Sequence, residues 1–210
     1  MTAAFIVRQE GVVLVDSGTP GSEGAILRAC EEHGIRPGDI TLILLTHCHA
    51  DHAGSARALR EMTGAKIAIH KKDAAGLITG EQGELRAICT TGRLLGRMFA
   101  GSRARFPAFE PDIVFDDSLD LLEFGVGGIA VPTPGHTPGS VSVLLSNKEA
   151  IVGDLIVPKI PSGRPGYPFW ADNVTDLRAS IAQIQAYRPD KIYLAHGAPY
   201  EGSALDLLKS

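Results

Sequence analysis

The sequence predicts a mixed α/β or α+β fold with two runs of strands, and with helices between and after them. Short apolar, β-rich segments alternate with longer segments of helical periodicity, and Gly- and Pro-rich turns separate the two kinds. A chain of 210 residues with 44% hydrophobic content is long and apolar enough for one domain with a sizeable core. We therefore expect a single domain over residues 1–210, in which two sheets pack face to face between helices.

The elements follow from local patterns. Ser22 suits the N-cap of the first helix, and Gly34 suits a left-handed stop after its end. In the first half we predict strands at 5–7, 12–15, 40–45 and 66–69 and helices at 22–33 and 53–62. In the second half we predict strands at 118–123, 128–131, 140–145, 150–152 and 191–194 and a helix at 174–187.

An Arg-rich stretch from residue 85 to residue 109 interrupts this alternation. It contains no Asp or Glu, and its apolar residues recur at spacings of three, four and seven, which predicts an amphipathic helix. Its arginines are Arg86, Arg93, Arg97, Arg103 and Arg105. We expect residues 71–110 to form a helical, lid-like insertion bordering a pocket, where Arg93 and Arg97 would meet an anionic substrate. The alternatives for its basic face are solvent, a membrane surface or a second subunit of a homodimer.

The stretch after residue 154 is predicted to be an irregular loop, because prolines and glycines recur along it. Four of its side chains are candidates to line a substrate pocket: Arg164, Tyr167, Phe169 and Trp170. Aromatic rings on such a loop would shape an apolar acyl or aryl pocket. The alternative is that Phe169 and Trp170 only close the edge of the sandwich.

Seven His and Asp side chains occupy short segments that follow predicted strands. They are His47, His49, Asp51, His52, His136, Asp154 and His196. Side chains at the ends of neighbouring strands can converge on one point while the sheet holds their backbones. Imidazole and carboxylate are normal ligands of zinc and iron, with about four donors for each ion. Seven groups are too many for one ion, and they suit two ions that share a carboxylate and a water.

These segments resemble the motifs of the metallo-β-lactamase superfamily, over about residues 12–197. The run from His47 to His52 is similar to its H-x-H-x-D-H motif, and the run 13–18 resembles its early strand ending in Asp-Thr/Ser-Gly. His136, Asp154 and His196 resemble its third, fourth and fifth motifs. The resemblance implies an αββα sandwich. It also implies that His47, His49 and His136 hold one metal, that Asp51, His52 and His196 hold the other, and that Asp154 bridges them.

The chemistry implied is hydrolysis. A water that bridges two divalent cations becomes hydroxide near neutral pH and can attack a carbonyl or a phosphorus. Asp154 and Asp51 are the expected catalytic carboxylates, and Asp51 would also carry a proton to the leaving group. By the same resemblance, Asp16 orients a ligand imidazole or supports the sheet end. The expected cofactors are two Zn²⁺ ions, with iron or manganese as alternatives.

The resemblance also narrows the range of substrates that we expect. Asp154 separates this chain from the true β-lactamases of the superfamily, which lack a bridging Asp at that motif. It favours a hydrolase of an ester, thioester or lactone, although Val157 stands near where lactonase relatives place a Tyr. Two alternatives remain open. One is an oxygenase that oxidises persulfides at one iron held by His47, His136 and Asp154, and the other is a metal-binding protein without turnover.

Composition excludes several other classes. A net charge of −4 argues against a nucleic-acid binder, and no apolar run approaches the ~18 residues of a membrane span. The N-terminal residues lack the pattern of a signal peptide, and the three cysteines show no disulfide framework, so we expect a cytoplasmic protein. The expected partner is a small-molecule substrate. Cys48 lies between two candidate ligands but should face away from the metals, because alternate residues of an extended segment point apart.

Overall fold

Two mixed sheets form the centre of the protein, seen here in a computed structural model. The structure describes residues 2–98 and 104–208, without the side chains of Arg97 and Met98. Within these residues the first sheet contains β1 (Phe5–Arg8), β2 (Val12–Val15), β3 (Ile40–Leu44), β4 (Lys66–His70) and β5 (Ile113–Phe115), in that order. β1 and β2 form the predicted antiparallel hairpin, and β2 to β5 run parallel to one another.

The second sheet is mainly antiparallel. Its strands are β6 (Leu119–Asp120), β7 (Gly128–Pro132), β8 (Val141–Leu145), β9 (Glu149–Ile151), β12 (Lys191–Tyr193) and β13 (Tyr200–Glu201). Their order is β13-β12-β9-β8-β7-β6, and only the β12–β9 pair is parallel. A small separate hairpin, β10 (Val157–Pro158) and β11 (Pro165–Gly166), lies in the loop after residue 154.

The helices cover the outer faces of the sheets. They are α1 (Glu23–Glu32), α2 (Ala50–Ala53), α3 (Ala56–Thr63), α4 (Lys71–Thr79), α5 (Thr90–Met98) and α6 (Val174–Tyr187), and 3₁₀ turns occur at Pro37–Asp39, Leu122–Phe124 and Gly202–Leu208. Asn173 caps α6, because its side-chain oxygen accepts hydrogen bonds from the backbone N–H groups of Thr175 and Asp176. Among the described residues, no helix is both long and apolar enough to cross a bilayer.

The core is layered because strand residues alternate between two faces. On β3, Leu42 and Leu44 pack into a cluster shared with residues of the second sheet, such as Val143 on β8. Ile43 points the other way, into a cluster that includes Leu59 of α3. On the far side of the second sheet, α6 packs over β9 and β12. The result is four layers in the order helix, sheet, sheet, helix, which confirms the predicted αββα sandwich.

Local predictions are wrong at several places. The helix predicted at 53–62 is split, because the Gly54 N–H donates to the Gly18 carbonyl instead of continuing the helix from α2 into α3. The strand predicted at 118–123 is reduced to Leu119–Asp120, and a 3₁₀ turn follows, ending at Gly125 with φ of 76°. The helix α4 lies within the helical insertion expected at residues 71–110, whereas the sequence patterns do not predict β5. Of the Arg-rich stretch, residues 85–98 and 104–109 are described, and within them the helix spans Thr90–Met98.

Candidate metal centre

The four segments that carry the seven candidate ligands meet at one end of the two sheets. The run 45–52 follows β3, and the loop 133–140 joins β7 to β8. Asp154 follows β9, and His196 follows its parallel neighbour β12. The loops are tied to each other by backbone hydrogen bonds from Val141 N to Thr46 O (2.9 Å) and from Ala195 N to Gly153 O (3.2 Å). The sheets therefore set the positions of all seven side chains.

Three imidazoles form a first cluster. His49 Nδ1 lies 3.0 Å from His47 Nε2 and 3.0 Å from His136 Nε2. The three rings are nearly or fully buried, with exposures of 1%, 6% and 5% for His47, His49 and His136. Donors placed about 2 Å from one tetrahedral ion are themselves about 3.3 Å apart, so this spacing fits ligands of a single ion.

A second cluster contains Asp51, His52 and His196. Asp51 Oδ2 lies 3.6 Å from His52 Nε2 and 3.3 Å from His196 Nε2. The Thr2 hydroxyl donates to the same Asp51 oxygen at 2.8 Å, so the N-terminal segment borders this cluster. These separations also match donors around one cation.

Asp154 lies between the two clusters and faces each with a different oxygen. Its Oδ2 lies 3.5 Å from His136 Nε2, in the first cluster. Its Oδ1 lies 3.5 Å from His52 Nε2 and 3.4 Å from His196 Nε2, in the second. The carboxylate is thus placed so that each oxygen can serve a separate ion.

Two buried polar atoms without partners also indicate that these side chains bind divalent cations. His52 Nε2 and Asp154 Oδ1 are buried and have no hydrogen-bond partner. Buried polar atoms without a partner cost free energy, and in native proteins they are rare. A cation bound between these atoms would satisfy both, and imidazole nitrogen and carboxylate oxygen are the donors that zinc and similar ions accept.

Hydrogen bonds on the side of the ring away from the centre orient three of the imidazoles. His52 Nδ1 lies 2.8 Å from Asp16 Oδ2, and His136 Nδ1 lies 2.9 Å from the Trp170 carbonyl. Carboxylate and carbonyl oxygens only accept, so each Nδ1 carries a proton, and Nε2 is the nitrogen that can present a lone pair to a cation at the centre. The Thr46 hydroxyl donates to Asp16 Oδ2 at 2.8 Å and is therefore left to accept from His47 Nδ1 at 3.0 Å.

Asp16 has an unusual backbone, with φ of 62°. A non-glycine residue in this region carries strain, which persists only when its surroundings hold it. Here the Asp16 N–H donates to Leu44 O, and its Oδ1 accepts from the Thr46 N–H at 2.7 Å. The strained turn at the end of β2 thereby points the carboxylate at His52, in the orienting position that the resemblance implies.

The histidines of the two clusters differ in their pKa values. Burial lowers the pKa of His47 far below its usual range and, with the neighbouring His136, that of His49 to about 3. Burial alone would lower the pKa of His52, but the carboxylates of Asp16, Asp154 and Asp51 raise it to about 9. The carboxylates of Asp154 and Asp51, whose oxygens lie 3.4 Å and 3.3 Å from His196 Nε2, raise the pKa of His196 to about 10. The first cluster therefore offers neutral imidazoles, whereas the second favours a positive charge.

The two carboxyls of the clusters stay ionised. Burial tends to raise the pKa of Asp51 and of Asp154, but the nearby imidazoles of His196 and His52 outweigh burial and hold both pKa values well below the usual range. Cys48 behaves differently, since burial raises the pKa of its thiol to about 12. Its sulfur packs against Gly76 of α4, and it belongs to none of the three donor groups found among the described residues.

Asp73 is a site residue that the sequence did not reveal. Its buried carboxylate accepts hydrogen bonds from Cys48 N (3.0 Å), Thr137 Oγ1 (2.9 Å) and Gly139 N (2.8 Å). One side chain of α4 thus ties the loop of His47 and His49 to the loop of His136. A Cβ at Gly139 would lie 2.4 Å from Asp73 Oδ1, so this close approach requires glycine there. An Asp in the first turn of a helix is common, and nothing in the sequence marks this one.

The residues predicted to line a substrate pocket are spread over different places. Trp170 borders two cavities at the centre, and Phe169 borders one of them. Tyr167 instead packs toward α6, beside Arg178, and Arg164 is exposed and borders none of the described cavities. Arg93 is exposed on α5 in the same way, and the side chain of Arg97 lies outside the described residues.

Arg105 lines the larger of these two cavities, which sequence reasoning did not predict. This cavity, about 480 Å³, is also bordered by Gln82, Leu85 and Asp51, and is hereafter the wide cavity. Arg105 forms an ion pair with Glu81 at 2.6 Å, so its charge is already partly balanced. Within the described residues, the Arg-rich stretch borders the cavities at the centre through residues that include Leu85, Leu95 and Arg105, and Arg93 borders neither cavity.

Comparison with known proteins agrees with this geometry. The family model described as "Metallo-beta-lactamase superfamily" matches residues 2–196. A protein named "Probable metallo-hydrolase" from Methanocaldococcus jannaschii is 30% identical over 198 residues, which is 92% of this chain and 86% of that protein. A hydroxyacylglutathione hydrolase from Anaeromyxobacter dehalogenans is 32% identical over 125 residues, 58% of this chain and 34% of that protein. A solved metallo-beta-lactamase structure from Cronobacter sakazakii aligns with a TM-score of 0.69 at 27% identity, over 93% of this chain and 72% of that one.

Proposed function

Because the chain belongs to the metallo-beta-lactamase superfamily, we propose that it is a hydrolase with two divalent metal ions that cleaves an ester, thioester or lactone bond of a small molecule. The observation that supports two ions is the position of Asp154. Its two oxygens face two separate donor clusters, at 3.4–3.5 Å from the nitrogens of each. One ion would need only one of these clusters.

In this proposal His47, His49 and His136 hold one ion, and Asp51, His52 and His196 hold the other. Two such ions, when bound, supply hydroxide at neutral pH from a shared water and polarise the oxygen of the bond to be cleaved. The protein itself holds the ligand atoms in the orientation and tautomer that metal binding requires. The tautomers of His52 and His136 are set by Asp16 and the Trp170 carbonyl, so little rearrangement is needed on binding.

Asp51 is our candidate for proton transfer. Its side chain is 35% exposed, whereas Asp154 is 11% exposed, so Asp51 is the carboxylate that a leaving group can reach. It also borders the wide cavity. Its carboxylate is ionised, which is the protonation state that can accept a proton from the attacking water and pass it to the departing oxygen or sulfur. The Thr2 hydroxyl, which donates to Asp51, would hold it in position.

The type of bond that is cleaved is inferred mainly from the relatives of the protein. The partial likeness to a hydroxyacylglutathione hydrolase favours an acyl substrate. The lactamase likeness supports metal-dependent hydrolysis, and we include a lactam among the substrates to be tested for that reason. Zinc is our proposed metal because the first cluster consists of three neutral imidazoles.

The test combines metal analysis with a substrate panel. Protein loaded with zinc, manganese or iron would be assayed with p-nitrophenyl esters, thioesters, lactones, bis-p-nitrophenyl phosphate and a chromogenic β-lactam. We expect two ions per chain and turnover of an acyl substrate. One iron per chain with sulfide-dependent oxygen uptake would replace the hydrolase with an oxygenase. Two bound ions without turnover of any substrate would favour a metal-binding protein that is not an enzyme.

A further inference from the structure

A second cavity opens from the candidate metal centre, and its walls differ in character from those of the wide cavity. It has a volume of about 290 Å³ and touches the centre through His136, Asp154 and His196. Its other walls are apolar or aromatic, and they include Leu95, Val157, Ile160, Phe169 and Trp170. We call it the apolar cavity. Apart from the candidate ligands, no charged residue borders it within the described part of the chain.

The walls of the apolar cavity come from three elements that hydrogen bonds hold together. Leu95 lies on α5 and Val157 on β10, whereas Phe169 and Trp170 lie on the loop before α6. Backbone bonds from Ile88 N to Phe169 O (3.1 Å) and from Ala171 N to Arg86 O (2.9 Å) pair this loop with the segment before α5. The Trp170 carbonyl also accepts from His136 Nδ1. The aromatic wall is thus fixed relative to the candidate metal ligands, and the cavity is formed in advance of ligand binding.

The two cavities share His136, Asp154, His196 and Trp170, so they meet at the candidate metal centre. The wide cavity has polar groups that an alcohol, thiol or larger leaving group can contact, among them Gln82 and Arg105. Beyond the candidate ligands, the residues that line the apolar cavity are all apolar or aromatic. A substrate whose reactive carbonyl lies at the centre would therefore place two chemically different halves in two different cavities.

From this asymmetry we propose that the apolar cavity binds the acyl group of the substrate and that the protein selects apolar acyl groups of medium length. The inference rests on the proposed hydrolase function and adds its substrate class. In the reaction, water adds to the acyl carbon and the bond to the leaving oxygen or sulfur breaks. The leaving group takes one proton of the water, the other proton is released to solvent, and the acyl group departs from the apolar cavity as a carboxylate.

The expected dependence on acyl length follows from burial of hydrocarbon. Each methylene that moves from water into an apolar cavity stabilises the complex enough to raise kcat/KM about fourfold. With p-nitrophenyl esters from acetate upward, kcat/KM should rise by about this factor for each carbon. The rise should stop when the chain fills the cavity, and longer chains should react no faster. An ester with a charged acyl group of the same length should react far more slowly than its apolar counterpart.

Two variants should shift this optimum in opposite directions. Val157→Phe fills the cavity and should move the optimum to shorter chains, whereas Phe169→Ala enlarges it and should move the optimum to longer ones. A variant that is merely misfolded would lower activity for all esters without moving the optimum. Val114→Phe is the matched control, because Val114 is 51% exposed on β5 and borders none of the described cavities, and its profile should equal that of the wild type.

A binding measurement separates this inference from the proposed function. Calorimetry of butyrate, hexanoate and octanoate with the zinc-loaded protein should show affinity that rises with length, and a negative heat-capacity change. If esters are cleaved but neither rate nor affinity depends on length, the apolar cavity does not bind the acyl group and the hydrolase stands. If no ester, thioester or lactone is cleaved but affinity rises with length and Val157→Phe abolishes the rise, the cavity is a binding site and the hydrolase proposal fails. Length-independent binding without turnover would overturn both.

Discussion

His52 Nδ1 lies 2.8 Å from Asp16 Oδ2, and both side chains are completely buried. The opposite nitrogen of the same ring faces Asp51 and Asp154 without a hydrogen bond. One imidazole thus connects a strained residue at the end of β2 to the candidate metal centre. Asp16 has no direct contact with the position of an ion, but it fixes which nitrogen of His52 can reach one.

Asp16→Asn should weaken metal binding at the second cluster while keeping the fold. Asparagine tolerates the positive φ and can still accept from the Thr46 N–H, but the charge opposite His52 is lost. We expect about 10- to 100-fold lower affinity for the ion at the second cluster, as is usual when a carboxylate behind a ligand imidazole is removed. Competition with a chromogenic chelator measures this. Asp117→Asn, on an exposed residue, is the control, and equal affinities for Asp16→Asn and wild type would contradict the role.

Asp154→Ala should abolish turnover of any substrate and leave the fold intact. Loss of the carboxylate that faces both clusters should remove several kcal/mol of catalytic stabilisation, so we expect kcat/KM to fall about a thousandfold or more. Steady-state kinetics and metal analysis of the same preparation check this, with circular dichroism as the test of folding. Retained activity with two ions per chain would show that Asp154 does not bridge them.

Asp73→Ala should destabilise the protein and loosen the first cluster. The change leaves two backbone N–H groups and the Thr137 hydroxyl without their buried acceptor, which should lower the free energy of unfolding by about 3 kcal/mol. Asp73→Asn keeps an acceptor and should recover part of the loss. Urea denaturation measures both variants.

The control for Asp73 is Asp116→Ala. Asp116 pairs with Lys71 at the start of α4, but both side chains are exposed, so we expect a change of at most about 1 kcal/mol. If Asp73→Ala is no more harmful than Asp116→Ala, then Asp73 does not connect the two ligand loops in the way that its hydrogen bonds suggest.

The metal-free protein should lose stability as the pH rises from neutral to alkaline. The pKa values of His52 and His196 are raised to about 9 and about 10 in the folded state, above their value of about 6.5 in an unfolded chain. A group with a raised folded pKa stabilises fully below the unfolded pKa, and its contribution is lost as the pH rises through the folded pKa. We therefore expect the Tm of chelator-treated protein to fall between pH 7 and pH 10.

Below neutral pH the metal-free protein should also lose stability, for the opposite reason. His47 and His49 have lowered pKa values in the folded state, so their contribution is present above about pH 6.5 and is lost as the pH falls below it. Calorimetry from about pH 5 to pH 10, with and without zinc, measures the Tm and so checks the loss of stability at both acid and alkaline pH. Zinc supplies the positive charge that protons provide at His52 and His196, so the alkaline fall should shrink in its presence. A metal-free Tm that does not change between pH 7 and pH 10 would contradict this account.

Much of the fold was predictable because it depends on local patterns. The hairpin of β1 and β2, the buried strand β3 and the helix α6 each carry their signal within a few residues, as alternation, an apolar run or a capped start. The Arg-rich stretch shows the limit of such patterns. Its apolar spacing predicted a long helix, yet residues 86–88 pair with residues 169–171, and that pairing partner lies more than 80 positions away.

The sequence by itself determined which donors the protein possesses and that each follows a strand. Those features reside in residue type and in short-range order, so His47, Asp154 and His196 could be identified from the order of residues alone. Only the tertiary structure decided the distances between these donors. It also decided that the two oxygens of Asp154 face different clusters, and that Asp73 accepts hydrogen bonds from both ligand loops. It also decided that Trp170 rather than Arg93 borders the centre. These relationships join residues distant in the chain, and they arise only when the sheets bring the loops together.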